Sequence, residues 1–261
     1  SNDFAELMNR PHVFLVPDLE AFLNKDCALN HPFEEYKGKD LDDSQKEGCL
    51  IRRTDEFIKN KAWGATLMEV GFPLGRNQFS LEMHLRLWDK LTEAGIFLTG
   101  YGSSDNHSNQ SGWYSGNNFA NWLGVEEDKA EPIGEASFVE AMQKGRIYMG
   151  NPVALKGAVC FETEDGLPMG SGIQIDSVEQ WQTIHFSCDQ AKTGWRFRMI
   201  YNGEPFSEET VYSENYRFTD KVKPQKGINY VRAELYDENN ICIMLTNPIY
   251  IVKKDVVTNR R

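Results

Sequence analysis

The hydrophobic pattern of the chain changes near residue 152, and this change constrains the fold more than any other feature of the sequence. After it, apolar and polar residues alternate singly between turns, as in residues 195–201, where the run ends at Asn202-Gly203. Single alternation is the period of a half-buried strand, and Asn-Gly is typical of a tight hairpin. We therefore predict an all-β, sandwich-like domain over residues 153–261.

Residues 1–152 carry a different pattern, in which short apolar runs alternate with amphipathic stretches of helical period. Ser80 precedes one such stretch and predicts a helix start there. Thr54 predicts a second helix start, and the capping-box pair Ser137 and Glu140 predicts a third. Alternation of strands and helices favours an α/β layer or barrel in this part of the chain.

The stretch IFLTGYGSSDNHS, residues 96–108, carries the strongest functional signal. Residues 96–99 have the composition of a short buried strand, and the glycines that follow permit a sharp turn. Asp105 and His107 then stand two residues apart, so an extended chain places the carboxylate and the imidazole on the same side. In α/β barrels, the loops at this end of a strand build the active site. Asp105 and His107 are therefore suited to coordinating one cation.

Two further predicted strands carry polar groups near their ends. His31 follows the apolar residues 27–29, and Glu69 lies near the end of the predicted strand 65–70. A buried, unpaired carboxylate costs on the order of several kcal/mol. Glu69 therefore requires a partner, either a metal ion or an arginine such as Arg76.

Composition and charge argue against several classes of protein. Lys and Arg total 28 against 39 Asp and Glu, and the net charge of -11 opposes binding to nucleic acid. No apolar run approaches the roughly 18 residues of a membrane span, and residues 1–10 lack a signal-peptide pattern. The five cysteines are scattered without a C-x-x-C motif and are predicted to be free thiols, mostly in the core. The overall composition is that of a soluble globular protein.

These segments resemble the PHP (polymerase and histidinol phosphatase) superfamily of metal-dependent hydrolases. GYGSSDNHS is similar to its last metal-binding motif, and CALNHPF is similar to a strand that ends in a metal-binding histidine before proline. SFVEAMQK and GRIYMGNPVAL resemble the close of the domain in the carbaryl-hydrolase and microcin-maturation branch. The resemblance implies that residues 1–152 form the C-terminal portion of a distorted PHP-type (β/α)7 barrel, followed by a β-sandwich over residues 153–261.

The same resemblance implies a site and a reaction. Asp105 and His107 would be catalytic, and together with His31 and Glu69 they would bind a divalent metal ion. Mixed nitrogen and oxygen ligands suit zinc, manganese or iron rather than a thiolate-preferring metal. Such an ion activates water and stabilises charge on a phosphoryl or acyl oxygen, so the expected substrate is a small phosphate ester or another small ester.

The sequence also departs from that family, because no H-x-H motif occurs anywhere in it. The start at Ser1-Asn2 has no initiator Met and is typical of a residue pair left by cloning, which favours a C-terminal fragment of a longer enzyme over a degenerate relative. The alternative function is a catalytically inactive PHP-like scaffold that carries a ligand-binding β-sandwich. An H-x-H motif encoded upstream of Asp3 would favour the enzyme, and its absence would favour the binding protein.

Overall fold

The computed structural model describes residues 28–36, 38–71, 80–103, 119–124 and 134–253, and these ranges hold three α-helices and fourteen β-strands. The helices are α1 (Asp43–Lys59), α2 (Leu81–Glu93) and α3 (Glu135–Gln143). The strands are β1 (Ala28–Leu29), β2 (Leu67–Gly71), β3 (Thr99–Gly102), β4 (Ala120–Leu123), β5 (Ile147–Gly150), β6 (Val159–Thr163), β7 (Gly172–Ile175), β8 (Gln182–Cys188), β9 (Arg196–Tyr201), β10 (Glu204–Thr210), β11 (Tyr216–Val222), β12 (Ile228–Tyr236), β13 (Cys242–Thr246) and β14 (Ile249–Lys253). Within the same ranges, no helix is long and apolar enough to cross a membrane.

The first layer of the fold is a parallel sheet of three strands in the order β1-β2-β3. Strand β2 pairs in parallel with β1, where Leu67 lies opposite Ala28, and with β3, where Leu67 lies opposite Thr99. The three strands therefore run in one direction and end at one edge. Helices α1 and α2 pack against each other, and α2 packs against β2. Met68 of β2 and Trp88 of α2 are at most 1% exposed, so burial of their apolar surfaces stabilises this layer.

The predicted start of α2 is confirmed, whereas the other two predicted helix starts are wrong. Ser80 caps α2 by accepting a hydrogen bond from a backbone N–H of the first turn. Asp42 caps α1, and Thr54 lies inside that helix, where its hydroxyl donates to the carbonyl four residues earlier. Gly134 stands at the N-cap of α3, so Ser137 lies within its first turn. Hydroxyl side chains bond within helices as well as at their starts, so they do not fix a boundary alone.

The second layer is an eight-stranded sheet in the order β10-β9-β12-β13-β5-β4, with β14 beside β12 and β7 beside β14. A three-stranded antiparallel sheet, β11-β8-β6, shares a hydrophobic core with one face of it. Phe186 of β8 and Phe197 of β9 meet there with ring centroids 4.7 Å apart. Residues 151–253 are all described and contain no helix. The predicted β-sandwich character is therefore confirmed.

The hairpin predicted at Asn202-Gly203 is confirmed. Strand β9 pairs antiparallel with β10 across this turn. Asn202 has φ 51° and Gly203 has φ 82°. A tight type I′ turn needs positive φ at both central residues, which asparagine and glycine tolerate best.

Strand β12 serves both faces of the eight-stranded sheet. Val231, Ala233 and Leu235 belong to the sandwich core. Between them, Arg232 and Glu234 are 2% and 3% exposed, and Arg232 bonds to the carboxylate of a residue on α2. Helix α2 therefore packs against the face of the sheet opposite the sandwich core.

The predicted fold class, an α/β chain that begins with part of a PHP-type (β/α)7 barrel, is wrong, and so is the assignment to the PHP superfamily. Strands β4 and β5 come from the predicted barrel segment, yet they pair antiparallel with each other. Strand β5 also pairs antiparallel with β13, so the chain enters the eight-stranded sheet instead of continuing a parallel barrel. The described residues are mainly β with three helices. The domain boundary at residue 152 stays a prediction, and strands from both sides of it share one sheet.

The four described cysteines are free thiols, as predicted; three of them are buried, and Cys27 lies outside the described residues. Burial raises the pKa of the Cys188 thiol from 9.0 to about 12, and the neighbouring Asp189 carboxylate adds to the increase. Above pH 9 the unfolded chain loses this proton while the folded chain keeps it. The stabilising effect is therefore fully present below pH 9 and is lost as the pH rises towards about 12.

We expect the free energy of unfolding to fall between pH 9 and 12, with Cys188 contributing up to about 1.4 kcal/mol per pH unit. Urea unfolding at several pH values measures this slope. In Cys188→Ala the decrease in unfolding free energy per pH unit is expected to be smaller. The lost side-chain volume also lowers stability, but by the same amount at every pH, so it does not change this slope. An unchanged slope in that variant would contradict the prediction.

Candidate functional site

The candidate site lies at the carboxyl edge of the parallel sheet. Strand β1 ends at Leu29, and His31 follows two residues later, while Glu69 is the third residue of β2. Strand β3 ends at Gly102, three residues before Asp105 and five before His107. Asp105 and His107 lie outside the described residues, and their convergence with His31 stays a prediction.

The structure brings His31 and Glu69 together. Oε2 of Glu69 lies 2.6 Å from Nδ1 of the His31 ring, and it accepts a hydrogen bond, 2.8 Å long, from the His31 backbone N–H. The Glu69 side chain is 1% exposed and the His31 side chain 29%. When Nδ1 carries the proton and donates it to the carboxylate, the lone pair lies on Nε2. A carboxylate this close to Nδ1 favours the tautomer with the proton on Nδ1 and limits the orientations of the ring.

The backbone of His31 is held in an unusual conformation. Its φ is 48°, in the left-handed region that is sterically unfavourable for residues other than glycine. Two backbone hydrogen bonds fix it, one from its N–H to Glu69 and one from the Glu34 N–H to its carbonyl, 2.9 Å long. Such conformations persist where the surroundings impose them, and they concentrate at functional sites.

Sequence reasoning missed the two asparagines that anchor β3, the strand from which the Asp105 and His107 segment leaves. The Asn121 side chain accepts from the Gly102 N–H and donates to the Gly102 carbonyl, both at 2.8 Å. Asn247 holds Gly100 in the same way, at 2.8 and 2.9 Å. Side-chain amides therefore satisfy backbone groups of β3 and tie it to the second layer. Their spacing in the sequence gives no signal of this role.

Two further polar groups near the edge were also missed. The Tyr101 hydroxyl of β3 donates to the Asn30 side-chain carbonyl, next to His31. Asn30 is the first residue after β1, so its position at a strand end was the available signal. The suggested partner Arg76 lies outside the described residues. Within the described ranges, no group of three or more His, Cys, Asp or Glu side chains is placed to hold a metal ion.

No family model matches the chain, and no curated protein matches it. Solved structures that match part of it include the fibronectin(III)-like modules of Clostridium thermocellum CbhA, at 16% identity and a TM-score of 0.25, over 35% of this chain and 94% of theirs. The solution structure of the CARDB domain of the Pyrococcus furiosus PF1109 protein matches at 15% identity and a TM-score of 0.26, over 38% of this chain and 97% of that domain. The crystal structure of that domain in complex with di-metal ions matches with the same identity and TM-score, over 38% and 96%.

Proposed function

We propose that the carboxyl edge of the β1-β2-β3 sheet binds a divalent metal ion and that the protein is a metal-dependent hydrolase of small phosphate esters or other small esters. The supporting observation is the 2.6 Å contact between His31 Nδ1 and the buried Glu69 carboxylate. Histidines that bind metals almost always donate their other ring N–H to a carboxylate, a carbonyl or water. In this proposal His31 binds through Nε2, and Glu69 orients it instead of binding the ion directly.

The topology supports Asp105 and His107 as the other ligands. They follow β3, and β1 and β3 flank β2 in a parallel sheet, so all three carboxyl ends lie along one edge. Neighbouring strands are about 4.8 Å apart, which separates the ends of β1 and β3 by about 10 Å. Side chains that enter this gap from both sides can reach a common ion.

The donor set fits the proposed ion. One imidazole from His31, a second from His107 and the carboxylate of Asp105 form a mixed nitrogen and oxygen set, which suits zinc, manganese or iron. When bound, such an ion supplies Lewis-acid activation of water and of the ester oxygen. In the described part of the site, Glu69 holds the His31 ring in place, while Tyr101 and Asn30 offer polar groups that can orient a substrate.

His31→Gln tests this proposal. Titration calorimetry with Mn²⁺ and Zn²⁺ measures metal binding, and p-nitrophenyl phosphate and p-nitrophenyl acetate report hydrolysis. We expect saturable metal binding and metal-dependent turnover in the natural sequence. Loss of a ligand is expected to weaken metal binding at least tenfold to a hundredfold, the typical effect of disturbing even the surrounding hydrogen bonds.

His185→Gln is the matched control, because His185 lies on β8 and bonds to the Thr219 hydroxyl, away from the parallel sheet. This variant should bind metal as the natural sequence does. Equal metal binding in His31→Gln and His185→Gln would overturn the proposed site. Metal binding without turnover of either ester would retain the site and overturn the hydrolase.

A further inference from the structure

A cavity of about 470 Å³ lies at the opposite, amino edge of the parallel sheet. Ala65 and Thr66, which precede β2, line it together with Phe97 and Leu98, which precede β3. Thr66 is three residues from Glu69, or about 10 Å along an extended strand. The cavity is therefore separate from the candidate metal site.

The cavity walls combine apolar surface with positive charge. Ile58, Ile96 and Tyr250 add to the apolar lining, and Lys61 and Lys144 are the charged residues that line it. Among the described residues, no Asp or Glu lines this cavity, although the protein as a whole carries a net charge of -11. Lys144 also pairs with the exposed Glu140, and exposed pairs of this kind are weak. The local charge therefore favours an anion.

Thr66 lines the cavity and carries a buried hydroxyl that has no hydrogen-bond partner within the described ranges. Thr66 is 3% exposed, and its Oγ1 forms no hydrogen bond within the described part of the chain. Buried polar atoms are nearly always hydrogen-bonded, so this hydroxyl requires a partner from outside the described residues. A ligand oxygen that reaches this hydroxyl would accept its hydrogen bond.

The segment Lys61–Gly64 forms part of the same wall in a strained conformation. Lys61, Ala62 and Trp63 have φ values of 48–50°, and Gly64 follows with φ 77°. Three successive residues other than glycine in the left-handed region are unfavourable, since each Cβ crowds its own backbone. Backbone strain of this kind concentrates where a ligand or substrate must be positioned. Here it places Lys61 beside the cavity.

We infer that this cavity binds a small organic carboxylate with an apolar body. Its volume falls within the roughly 300–1,000 Å³ of small-molecule sites, which are mostly apolar with a few polar groups. The two lysines and the Thr66 hydroxyl meet the carboxylate, and the apolar walls meet the body of the ligand. The inference goes beyond the proposed hydrolase and does not depend on metal binding.

Titration calorimetry with octanoate and phenylacetate, in the presence of EDTA, tests the inference. Acetate has the charge without the apolar body, and 1-octanol has the chain without the charge. We expect saturable binding of octanoate or phenylacetate, at least tenfold tighter than binding of acetate or 1-octanol. Failure of both carboxylates to bind would overturn the inference. His31→Gln should leave this binding unchanged, so the two sites can fail independently.

Lys61→Asn tests whether the ligand lies in this cavity. Asparagine is chosen because it removes the charge and still tolerates positive φ. It is expected to weaken carboxylate binding by roughly tenfold to a hundredfold, the usual effect of a hydrogen bond to a charged group. Lys59→Asn makes the same change at an exposed residue two positions earlier, which does not line the cavity, and should have no effect. Equal affinity in these two variants would overturn the assignment of the cavity.

Thr66→Val separates ligand binding from stability. Valine keeps the shape and removes a buried hydroxyl that has no partner within the described residues, so the ligand-free variant should melt at the same or a higher temperature. Carboxylate binding should nevertheless weaken about tenfold, while Thr66→Ser should retain it. Unchanged affinity in Thr66→Val would overturn the role of the hydroxyl, because a purely structural threonine would alter the melting temperature alone.

Discussion

Replacing Arg232 by alanine is expected to lower the free energy of unfolding by about 3–5 kcal/mol. Arg232 is 2% exposed, and its guanidinium donates to the Asp89 carboxylate, with Nη2 2.9 Å from Oδ2, and also to the Glu234 carboxylate. The substitution leaves two buried carboxylates without their cation. Asp89 lies on α2 and Glu234 on β12, so the arginine also joins the helices to the eight-stranded sheet.

The charge of Arg232 is maintained by its partners. Burial alone would lower the pKa of the guanidinium, but the carboxylates of Asp89 and Glu234 together reverse that effect and raise the pKa. The arginine therefore stays protonated wherever the protein is folded. Removal of this one side chain therefore leaves an excess of buried negative charge between α2 and the eight-stranded sheet.

Urea unfolding of the natural sequence, Arg232→Ala and Arg217→Ala provides the measurement. Arg217 forms an exposed pair with Asp189, 2.9 Å long, and its loss should cost less than about 1 kcal/mol. A cost below about 1 kcal/mol for Arg232→Ala as well would contradict the prediction, since it would mean that water reaches the two carboxylates. Replacing Arg232, Asp89 and Glu234 together by apolar residues of similar size should recover much of the loss.

The parts of the fold that could be predicted from the sequence depend on local contacts. The hairpin at Asn202-Gly203 follows from the φ values that those two residues accept, and the start of α2 follows from the Ser80 cap. Both need only neighbouring residues. Strand β12 shows the limit of prediction from local sequence. Its apolar and polar residues alternate as they do in a strand that has one face in solvent. Arg232 and Glu234 are nevertheless buried, and Arg232 bonds to Asp89 of α2, a helix far away in the sequence.

The barrel prediction failed for a related reason. A strand, a helix and a second strand give the same local pattern in a three-stranded layer as in a closed barrel. The difference lies in long-range pairing, here of β5 with β13, and in the side chains of Asn121 and Asn247 that tie β3 to the second layer. Neither appears in the hydrophobic period of the sequence.

The sequence predicted that His31 and Glu69 serve one metal ion, but it did not predict that they contact each other directly. A carboxylate within an apolar strand requires a partner, and that argument identified Glu69 without naming His31. The 2.6 Å contact requires β1 to lie beside β2 in the observed register and His31 to adopt positive φ. Both conditions come from tertiary structure. The contact also changes the expected role of Glu69 from metal ligand to orienting partner.

Asp105→Asn is expected to reduce metal-dependent ester hydrolysis at least a hundredfold while leaving the fold intact. The amide has the shape of the carboxylate but lacks the charge that holds a cation. Disturbing only the partner of a ligand typically costs tenfold to a hundredfold in metal affinity or activity, and loss of a ligand should cost at least as much. Glu69→Gln therefore provides a graded comparison, with a smaller loss than Asp105→Asn because it weakens the orientation of His31 without removing a ligand.

Turnover of p-nitrophenyl phosphate and p-nitrophenyl acetate with saturating Mn²⁺ or Zn²⁺, together with the urea-unfolding midpoint, measures both effects of Asp105→Asn. Asp165→Asn is the control, because Asp165 is an exposed acid in the turn after β6 and should change neither quantity. Strand β3 should remain in place in Asp105→Asn, since Asn121 holds Gly102 by two hydrogen bonds that the substitution does not touch. Full turnover in Asp105→Asn would remove this residue from the site. A loss in Glu69→Gln as large as that in Asp105→Asn would instead return Glu69 to the role of a direct metal ligand.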